Sequence, residues 1–174
     1  MGCVCCFTGH RFSGLPFGSD ESDEKCMKLT DLIYKQIRFL YDFCGVDTFI
    51  TGMALGIDQI AAEQTLSIKR IHPNIRLICA LPCEKQYSKW TYEQEARFRA
   101  ILSKADDSKI LQVNYSPDCM HKRNKYMVDN SDFVLAVWDG SSGGTSQTVR
   151  YSLKKKKRVI IINPVTFEIK KENI

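Results

Sequence analysis

The sequence lacks any apolar run of the roughly 20 residues that a membrane-spanning helix requires. Its first residues, MGCVCCFTGHR, contain neither a basic segment nor a small-residue cleavage site, so we expect no secretory signal. Neither the GxGxxG pattern nor GxxxxGK followed by Ser or Thr occurs. These absences argue against a membrane protein, a dinucleotide-dependent dehydrogenase and a P-loop nucleotide hydrolase.

The sequence also has little surplus charge with which to attract nucleic acid. The net charge is +5 over 174 residues, and the run KKKKR at 154–158 supplies all of it. We therefore predict no broad basic face, which argues against a nucleic-acid partner. The run itself has two interpretations: its cations complement the dipole of a helix C-terminus, or they form a local patch that contacts phosphates.

The cysteines indicate a reducing compartment. Eight of them occur in a chain without a predicted signal, so we expect free thiols and a cytoplasmic protein. Cys3 and Cys6 have CxxC spacing but fall within a predicted strand, while Cys79 and Cys83 have no nearby His to complete a zinc site. We therefore predict no metal site and assign the thiols to core packing.

Short apolar runs alternate with segments of helical periodicity along most of the chain. This alternation predicts an α/β fold, a Rossmann-like, doubly wound and mostly parallel sheet with helices on both faces. We expect one domain over 1–167, followed by a polar tail at 168–174. The six predicted strands cover 4–8, 48–51, 75–81, 109–113, 133–138 and 158–163, and the helices cover 29–41, 57–71, 92–105, 120–130 and 145–155.

Ligands of such sheets bind outside the carboxyl ends of the strands, and here those ends are rich in glycine and hydroxyl groups. The helices predicted to begin near Asp58 and Thr145 offer unpaired N–H groups to a phosphate. Arg11 could pair with a phosphate, whereas Asp58 and Asp139 suit sugar hydroxyls. The glycines that would let a ligand approach the backbone are Gly9, Gly52, Gly56, Gly143 and Gly144, and Thr8 adds a hydroxyl.

Several of these residues also have a purely structural interpretation. Glycine after a strand is common turn chemistry. Asp58 either caps its helix or contacts a ligand, and His10 is either a loop histidine or part of the site. Trp90 is either a core residue or a wall of the pocket.

The motifs CFTGHR, TGMALGIDQIAAE, LPCEKQYSKW, RNKYMVDNSDFVLAVWDG and SGGTSQTVRYS resemble the YpsA-like family of the SLOG superfamily. That superfamily also includes the DNA-processing protein A (Smf) family and the Lonely Guy phosphoribohydrolases. The resemblance implies a pocket for a nucleotide or a nucleotide derivative such as an ADP-ribose-like molecule, and the motifs identify no other cofactor. Carried over by motif, the pocket falls on Thr8, Gly9, His10, Arg11, Gly52, Gly56, Asp58, Gln86, Trp90, Arg123, Asn124, Gly143, Gly144 and Thr145. Phe12 stands where the family usually has Pro.

One departure concerns catalysis. Lonely Guy enzymes share a PGGxGTxxE loop whose Glu assists cleavage of an N-glycosidic bond, but here Thr148 stands at the position of that Glu. Losing a general acid or base typically costs about 10²–10⁴-fold in rate. His10 and Asp58 are the remaining catalytic candidates.

The sequence therefore predicts a binding or sensing domain for a nucleotide ligand. Two alternatives stay open: a hydrolase of a nucleotide N-glycosidic bond, and a binder of single-stranded DNA. A homo-oligomer is compatible with the sequence, and no membrane partner is expected.

Overall fold

Strands and helices alternate along the chain, as the periodicity predicts. The computed structural model describes residues 2–174. In chain order the elements are β1 Cys3–Gly9, α1 Glu24–Cys44, β2 Val46–Thr51, α2 Ile57–Lys69, β3 Arg76–Leu81, α3 Tyr92–Leu102, β4 Asp107–Ile110, α4 Cys119–Asp129, β5 Phe133–Val137, α5 Gly144–Lys154, β6 Arg158–Ile162 and β7 Ile169–Glu172, with a 3-10 turn at Phe12–Gly14.

The strands form one sheet in the order β4-β3-β2-β1-β5-β6-β7. All neighbours pair in parallel except β7, which runs antiparallel to β6. The chain moves outward in one direction from β1 to β4 and in the other from β5 to β7. The strand order therefore diverges between β1 and β5, which makes this pair the topological switch point. The predicted Rossmann-like α/β fold is confirmed.

The segment predicted as a polar tail differs from expectation. Ile169–Glu172 forms β7, so the described sheet has seven strands where the sequence indicated about six. Its side chains are mostly exposed, which is why no apolar pattern marks it. An edge strand is held by backbone hydrogen bonds to one neighbour and needs no buried face.

The helices cover both faces of the sheet unequally. The larger core lies under α1, α2 and α3, where Leu29, Ile33 and Ile37 of α1 are buried against strand residues such as Phe7 and Phe49. The smaller core lies under α4 and α5 and includes Met127 and Val128 of α4. Each sheet face is thereby shielded from water, as near-continuous apolar strands require.

Helix α1 illustrates how local sequence sets the elements. Its N-terminus is capped by Asp23, whose carboxylate accepts the Lys25 N–H at 2.7 Å. Buried residues recur at spacings of three and four along its length. Gly45 ends it with φ of 68°, a left-handed conformation that glycine adopts without steric cost.

Three features of the described residues concern membrane insertion, metal binding and the state of the thiols. Over residues 2–174, no helix is long and apolar enough to cross a membrane. Within the same range, no cluster of three or more His, Cys, Asp or Glu side chains is arranged to hold a metal ion. All eight cysteines are free thiols, and burial raises the pKa of Cys6 and of Cys79 to about 12.

Candidate functional site

A cleft of about 350 Å³ opens at the carboxyl ends of the strands, over the switch point between β1 and β5. The end of β1 and the segment after it form one wall, and the start of α5 forms another. Segments of the β2–α2 loop and of α4 complete it. The residues that line the cleft are Thr8, Gly9, His10, Arg11, Ser13, Gly14, Ala54, Asp58, Met120, Arg123, Asn124, Gly144 and Thr145.

The loops after β1 and β5 are tied together across the switch point. His10 Nε2 lies 3.0 Å from Asp139 Oδ1, where the His10 side chain is half-buried and Asp139 is exposed. The same Asp139 oxygen accepts hydrogen bonds from the Ser141 N–H at 2.9 Å and the Ser141 hydroxyl at 2.6 Å. These bonds, together with the nearby His10, lower the pKa of Asp139 to about 2. Asp139 does not line the cleft but holds His10 at its edge.

A buried ion pair forms the floor of the cleft. Asp58 and Arg123 are 6% and 4% exposed, and Asp58 Oδ2 lies 3.7 Å from Arg123 Nη1. Burial raises the pKa of Asp58, and the Arg123 guanidinium opposes that shift. Burial likewise lowers the pKa of Arg123, against the pull of Asp58. The charges therefore depend on each other, because removing either one leaves its partner unpaired in the interior.

Gly52 gives this pair its space. The Gly52 carbonyl accepts a hydrogen bond from Arg123 Nη1, and a Cβ at position 52 would overlap that guanidinium and approach Asp58 Oδ2 to 2.7 Å. Any side chain here would displace the pair. Gly52 was predicted to contact the ligand, but it is buried and does not line the cleft. It contributes to the site by leaving room for the ion pair.

The start of α2 is closed, which differs from the expectation of a phosphate site near Asp58. Gly56 lies at φ of 97°, and a Cβ there would come within 2.7 Å of the His10 carbonyl oxygen. This close approach lets the Ile57 N–H donate to that oxygen at 3.2 Å. The His10 carbonyl thus takes the first N–H of α2, while the Asp58 carboxylate accepts the Ala54 N–H at 3.3 Å and places a negative charge beside this helix end. Both features disfavour an anion there.

The start of α5 is open. Gly143 precedes the helix, and no side chain caps its first N–H groups within the part of the chain that the structure describes. Gly144 and Thr145 line the cleft, so these uncapped groups adjoin it. One turn further on, the Thr148 hydroxyl donates to the Gly144 carbonyl at 2.9 Å and accepts from Asn124 Nδ2 at 3.0 Å. Thr148 therefore positions Asn124 and the first turn of α5.

A second cavity of about 400 Å³, which we call the side cavity, adjoins the cleft and shares Arg11 and Met120 with it. Besides Arg11, the predicted site residues Gln86 and Trp90 line this cavity. Gln86 Nε2 donates to the Met53 carbonyl at 2.8 Å, while its Oε1 is buried without a partner among residues 2–174. The side cavity is lined by Arg11, Leu55, Lys85, Gln86, Ser88, Lys89, Trp90, Tyr115 and Met120.

Most of the predicted site residues meet at these two cavities. Thr8, Gly9, His10, Arg11, Asp58, Arg123, Asn124, Gly144 and Thr145 line the cleft, and Gln86 and Trp90 line the side cavity. Neither cavity is lined by Gly52, Gly56, Asp139 or Gly143, which adjoin residues that do line them. Sequence reasoning missed Met120 and Tyr115, although both follow the carboxyl end of a predicted strand and the rule for parallel sheets covers that loop too.

The KKKKR run lies away from both cavities. It joins the end of α5 to the start of β6, which places it at the amino ends of the parallel strands, opposite the cleft. Lys155 Nζ lies 3.2 Å from Asp129 Oδ1, and the Arg158 guanidinium lies 3.7 Å from the centre of the Phe133 ring. Lys157 Nζ donates to the Ser131 carbonyl, so three of the five cations have local partners. The run adds no positive charge to the cleft walls.

Comparison with known proteins connects this arrangement to a family. Residues 5–168 match the model of the YspA SLOG family (YpsA). An SPbeta prophage-derived protein, YoqJ, of Bacillus subtilis is 34% identical over 142 residues, which are 74% of this chain and 82% of that protein. A UPF0398 protein of Bacillus cereus is 29% identical over 145 residues, which are 82% of this chain and 77% of that protein.

Solved structures with a similar fold share little sequence with this chain. DNA processing protein A of Helicobacter pylori, studied for its single-stranded DNA binding mode, superposes with a TM-score of 0.61 at 16% identity, covering 93% of this chain and 66% of that one. DNA processing protein A of Streptococcus pneumoniae gives 0.60 at 12% identity, covering 93% and 50%. The chain thus spans half to two thirds of these proteins, and the likeness establishes the fold.

Proposed function

Because the chain belongs to the YspA SLOG family, as its motifs predict, we propose that it binds a nucleotide or a nucleotide derivative in the cleft. One observation above all supports this proposal: Arg11, which is exposed, and the uncapped start of α5 line the same cavity at the switch point of the sheet. A guanidinium and a helix N-terminus both favour a phosphate group.

The remaining walls suit the sugar of such a ligand. Thr8 contributes a hydroxyl and Asn124 an amide to the cleft. Asn124 accepts a hydrogen bond from Arg123 Nε at 2.8 Å and donates one to Thr148, so its amide is held in a fixed orientation. Polar groups fixed in this way bind a ligand with a smaller loss of side-chain entropy.

We expect adenine nucleotides to stabilise the fold. A ligand present at 100 times its Kd adds about 2.7 kcal/mol to the free energy of unfolding, which for a chain of this size raises Tm by roughly 5–10 °C. Thermal unfolding with AMP, ADP, ADP-ribose and NAD measures the effect. If none of the four shifts Tm at millimolar concentration, the nucleotide pocket is contradicted.

Two arginine variants sharpen this measurement. Arg11→Ala removes the exposed cation from the cleft and should abolish most of the nucleotide-dependent shift, because a charge-assisted hydrogen bond contributes about 1.5–3 kcal/mol. Arg150→Ala removes an exposed cation on α5 that lines neither cavity, and its shift should match that of the wild type. Equal shifts in all three proteins would mean that the ligand binds elsewhere.

Hydrolysis of a nucleotide is the alternative that one observation favours, because Asp58 is a carboxylate in the cleft whose pKa is raised by burial. Against it, Thr148 replaces the carboxylate of the Lonely Guy loop and its hydroxyl bonds Asn124 and the Gly144 carbonyl. We expect the wild type to release no adenine from AMP above the uncatalysed background, as followed by chromatography. Efficient release that is lost in Asp58→Asn would replace the binding proposal with the enzyme.

Single-stranded DNA receives less support. The likeness to DNA processing protein A concerns the fold. The KKKKR run lies at the amino ends of the parallel strands, opposite the cleft. A protein that tracks a nucleic-acid backbone needs a continuous basic groove. Here the cleft has Arg11 and Arg123, of which Arg123 is paired with Asp58, and the side cavity adds only Lys85 and Lys89.

The thiols support a cytoplasmic location for this binding. All eight cysteines are unpaired, and most are buried in the core. Chains that work in oxidising compartments usually pair their cysteines, so a reducing compartment is the proposed setting.

A further inference from the structure

The side cavity differs in character from the cleft beside it. The cleft is lined mainly by polar groups and by the start of α5, whereas the side cavity has two aromatic side chains, Trp90 and Tyr115, and two aliphatic ones, Leu55 and Met120. Arg11 belongs to both. A ligand whose anionic group lies beside Arg11 can therefore extend an apolar part into the side cavity.

Trp90 is held in a fixed position. Its ring centre lies 5.7 Å from that of Phe98 with an interplanar angle of 82°, and Phe98 is buried in the core. The backbone N–H of Trp90 donates to the Tyr87 carbonyl at 2.9 Å, which closes a turn in the loop after β3. A ring anchored on its inner side and open to a cavity is a prepared surface for a planar group.

Tyr115 has the opposite character, since it is 69% exposed yet lines the same cavity. It lies in the loop between β4 and α4, and core packing does not account for it. Lys85 and Lys89, both exposed, line the side cavity as well. Aromatic rings that face a cavity beside cations suit a planar aromatic group attached to an anion, which is the chemistry of a nucleotide.

We propose that the side cavity holds the base of a nucleotide whose phosphate lies between Arg11 and the start of α5, with Trp90 and Tyr115 as the residues that select for a base. This assignment rests on the proposed function and makes it more specific. In this assignment the sugar and phosphate lie in the cleft and the base lies in the side cavity, with Arg11 at the boundary between them. A free nucleotide and a nucleotide within a single strand present the same base, so both are tested.

Two ligands that differ only in the base distinguish the contributions of the two cavities to binding. AMP and ribose 5-phosphate share sugar and phosphate, and stacking of a base on aromatic side chains should make AMP bind at least about fivefold more tightly. Tyr115→Ala should lower the affinity for AMP by about fivefold or more and leave that for ribose 5-phosphate within about twofold, as measured by titration calorimetry. Tyr115→Phe, which keeps the ring, should bind AMP like the wild type.

Tyr92→Ala is the matched control, because Tyr92 is 83% exposed, lies two residues from Trp90 and lines neither cavity. It should bind both ligands like the wild type. Trp90→Phe provides a second variant that retains an aromatic contact with Phe98, and it should weaken AMP more than ribose 5-phosphate. Thermal unfolding of each variant without ligand verifies that the fold is intact.

The outcomes separate this inference from the function on which it rests. If the wild type binds AMP and ribose 5-phosphate equally, or if Tyr115→Ala weakens both equally, the base assignment is wrong and nucleotide binding stands. If neither ligand binds, both proposals fall. If a short oligodeoxyadenylate binds more tightly than AMP and loses affinity in Tyr115→Ala, the base site is supported and its source is a single strand.

Discussion

Gly144→Val should reduce the affinity for AMP by more than about 100-fold while leaving the fold as stable as the wild type. A phosphate at the start of α5 would accept hydrogen bonds from its first N–H groups, and losing two charge-assisted bonds costs roughly 3–6 kcal/mol. A Cβ at position 144 meets no heavy atom within 4 Å, so the new side chain occupies the space of the ligand without displacing the protein. Valine is also no worse than glycine within a helix.

Calorimetric titration together with thermal unfolding tests this expectation, and the chain offers two comparisons. Gln147→Val places the same side chain on the exposed side of α5, outside both cavities, and should change neither quantity. Gly56→Val should instead unfold the protein, since position 56 has φ of 97° and faces the His10 carbonyl. Wild-type affinity in Gly144→Val would show that the anion does not lie at the start of α5.

Arg123→Leu should lower the free energy of unfolding by about 3–5 kcal/mol, because it leaves the Asp58 carboxylate buried without its partner. Arg123 is almost fully buried, and its guanidinium also bonds the Gly52 carbonyl and Asn124. Denaturant unfolding at pH 7 measures the loss. Arg150→Leu, an exposed change on α5, should stay within about 0.5 kcal/mol of the wild type.

The loss in Arg123→Leu should depend on pH in a defined direction. Burial already raises the pKa of Asp58, and removing the opposing guanidinium raises it further. A protonated Asp58 needs no cation, so the penalty is small below the pKa of an unfolded aspartate. It grows as pH rises above that value and is complete once pH exceeds the raised pKa of the folded state. The double variant Arg123→Leu/Asp58→Asn should recover much of the stability at pH 7. If it recovers none, the bonds of Arg123 to neutral groups are what the fold requires.

The elements that the sequence predicted well are those whose own side chains determine their burial. Helix α1 has its apolar residues at helical spacing, and β5 is buried along its whole length, so periodicity alone located both. Strand β4 was predicted over 109–113 and lies at Asp107–Ile110. All four of its residues are exposed, and its register follows from pairing with β3, which the local sequence does not encode.

Some features of the site could likewise be predicted from the sequence, whereas others depend on contacts between distant segments. The rule that ligands bind at strand ends brought together residues as distant as Arg11 and Thr145, which line one cleft. The closure of the α2 start by the His10 carbonyl could not be predicted, because it depends on how closely two loops approach in space. The pairing of Asp58 with Arg123 likewise joins residues of two helices on opposite faces of the sheet, and no spacing in the sequence indicates it.

The antiparallel direction of β7 decides how the molecule can be attached to a surface. Glu172 pairs with Val159 near the amino ends of the parallel strands, and Cys3 begins β1 at that same edge. Asn173 Nδ2 donates to the Lys157 carbonyl at 3.0 Å, which holds the last residues there. A tether joined near Cys3 or Asn173 would therefore emerge on the side of the sheet opposite the cleft and would leave both cavities facing solution.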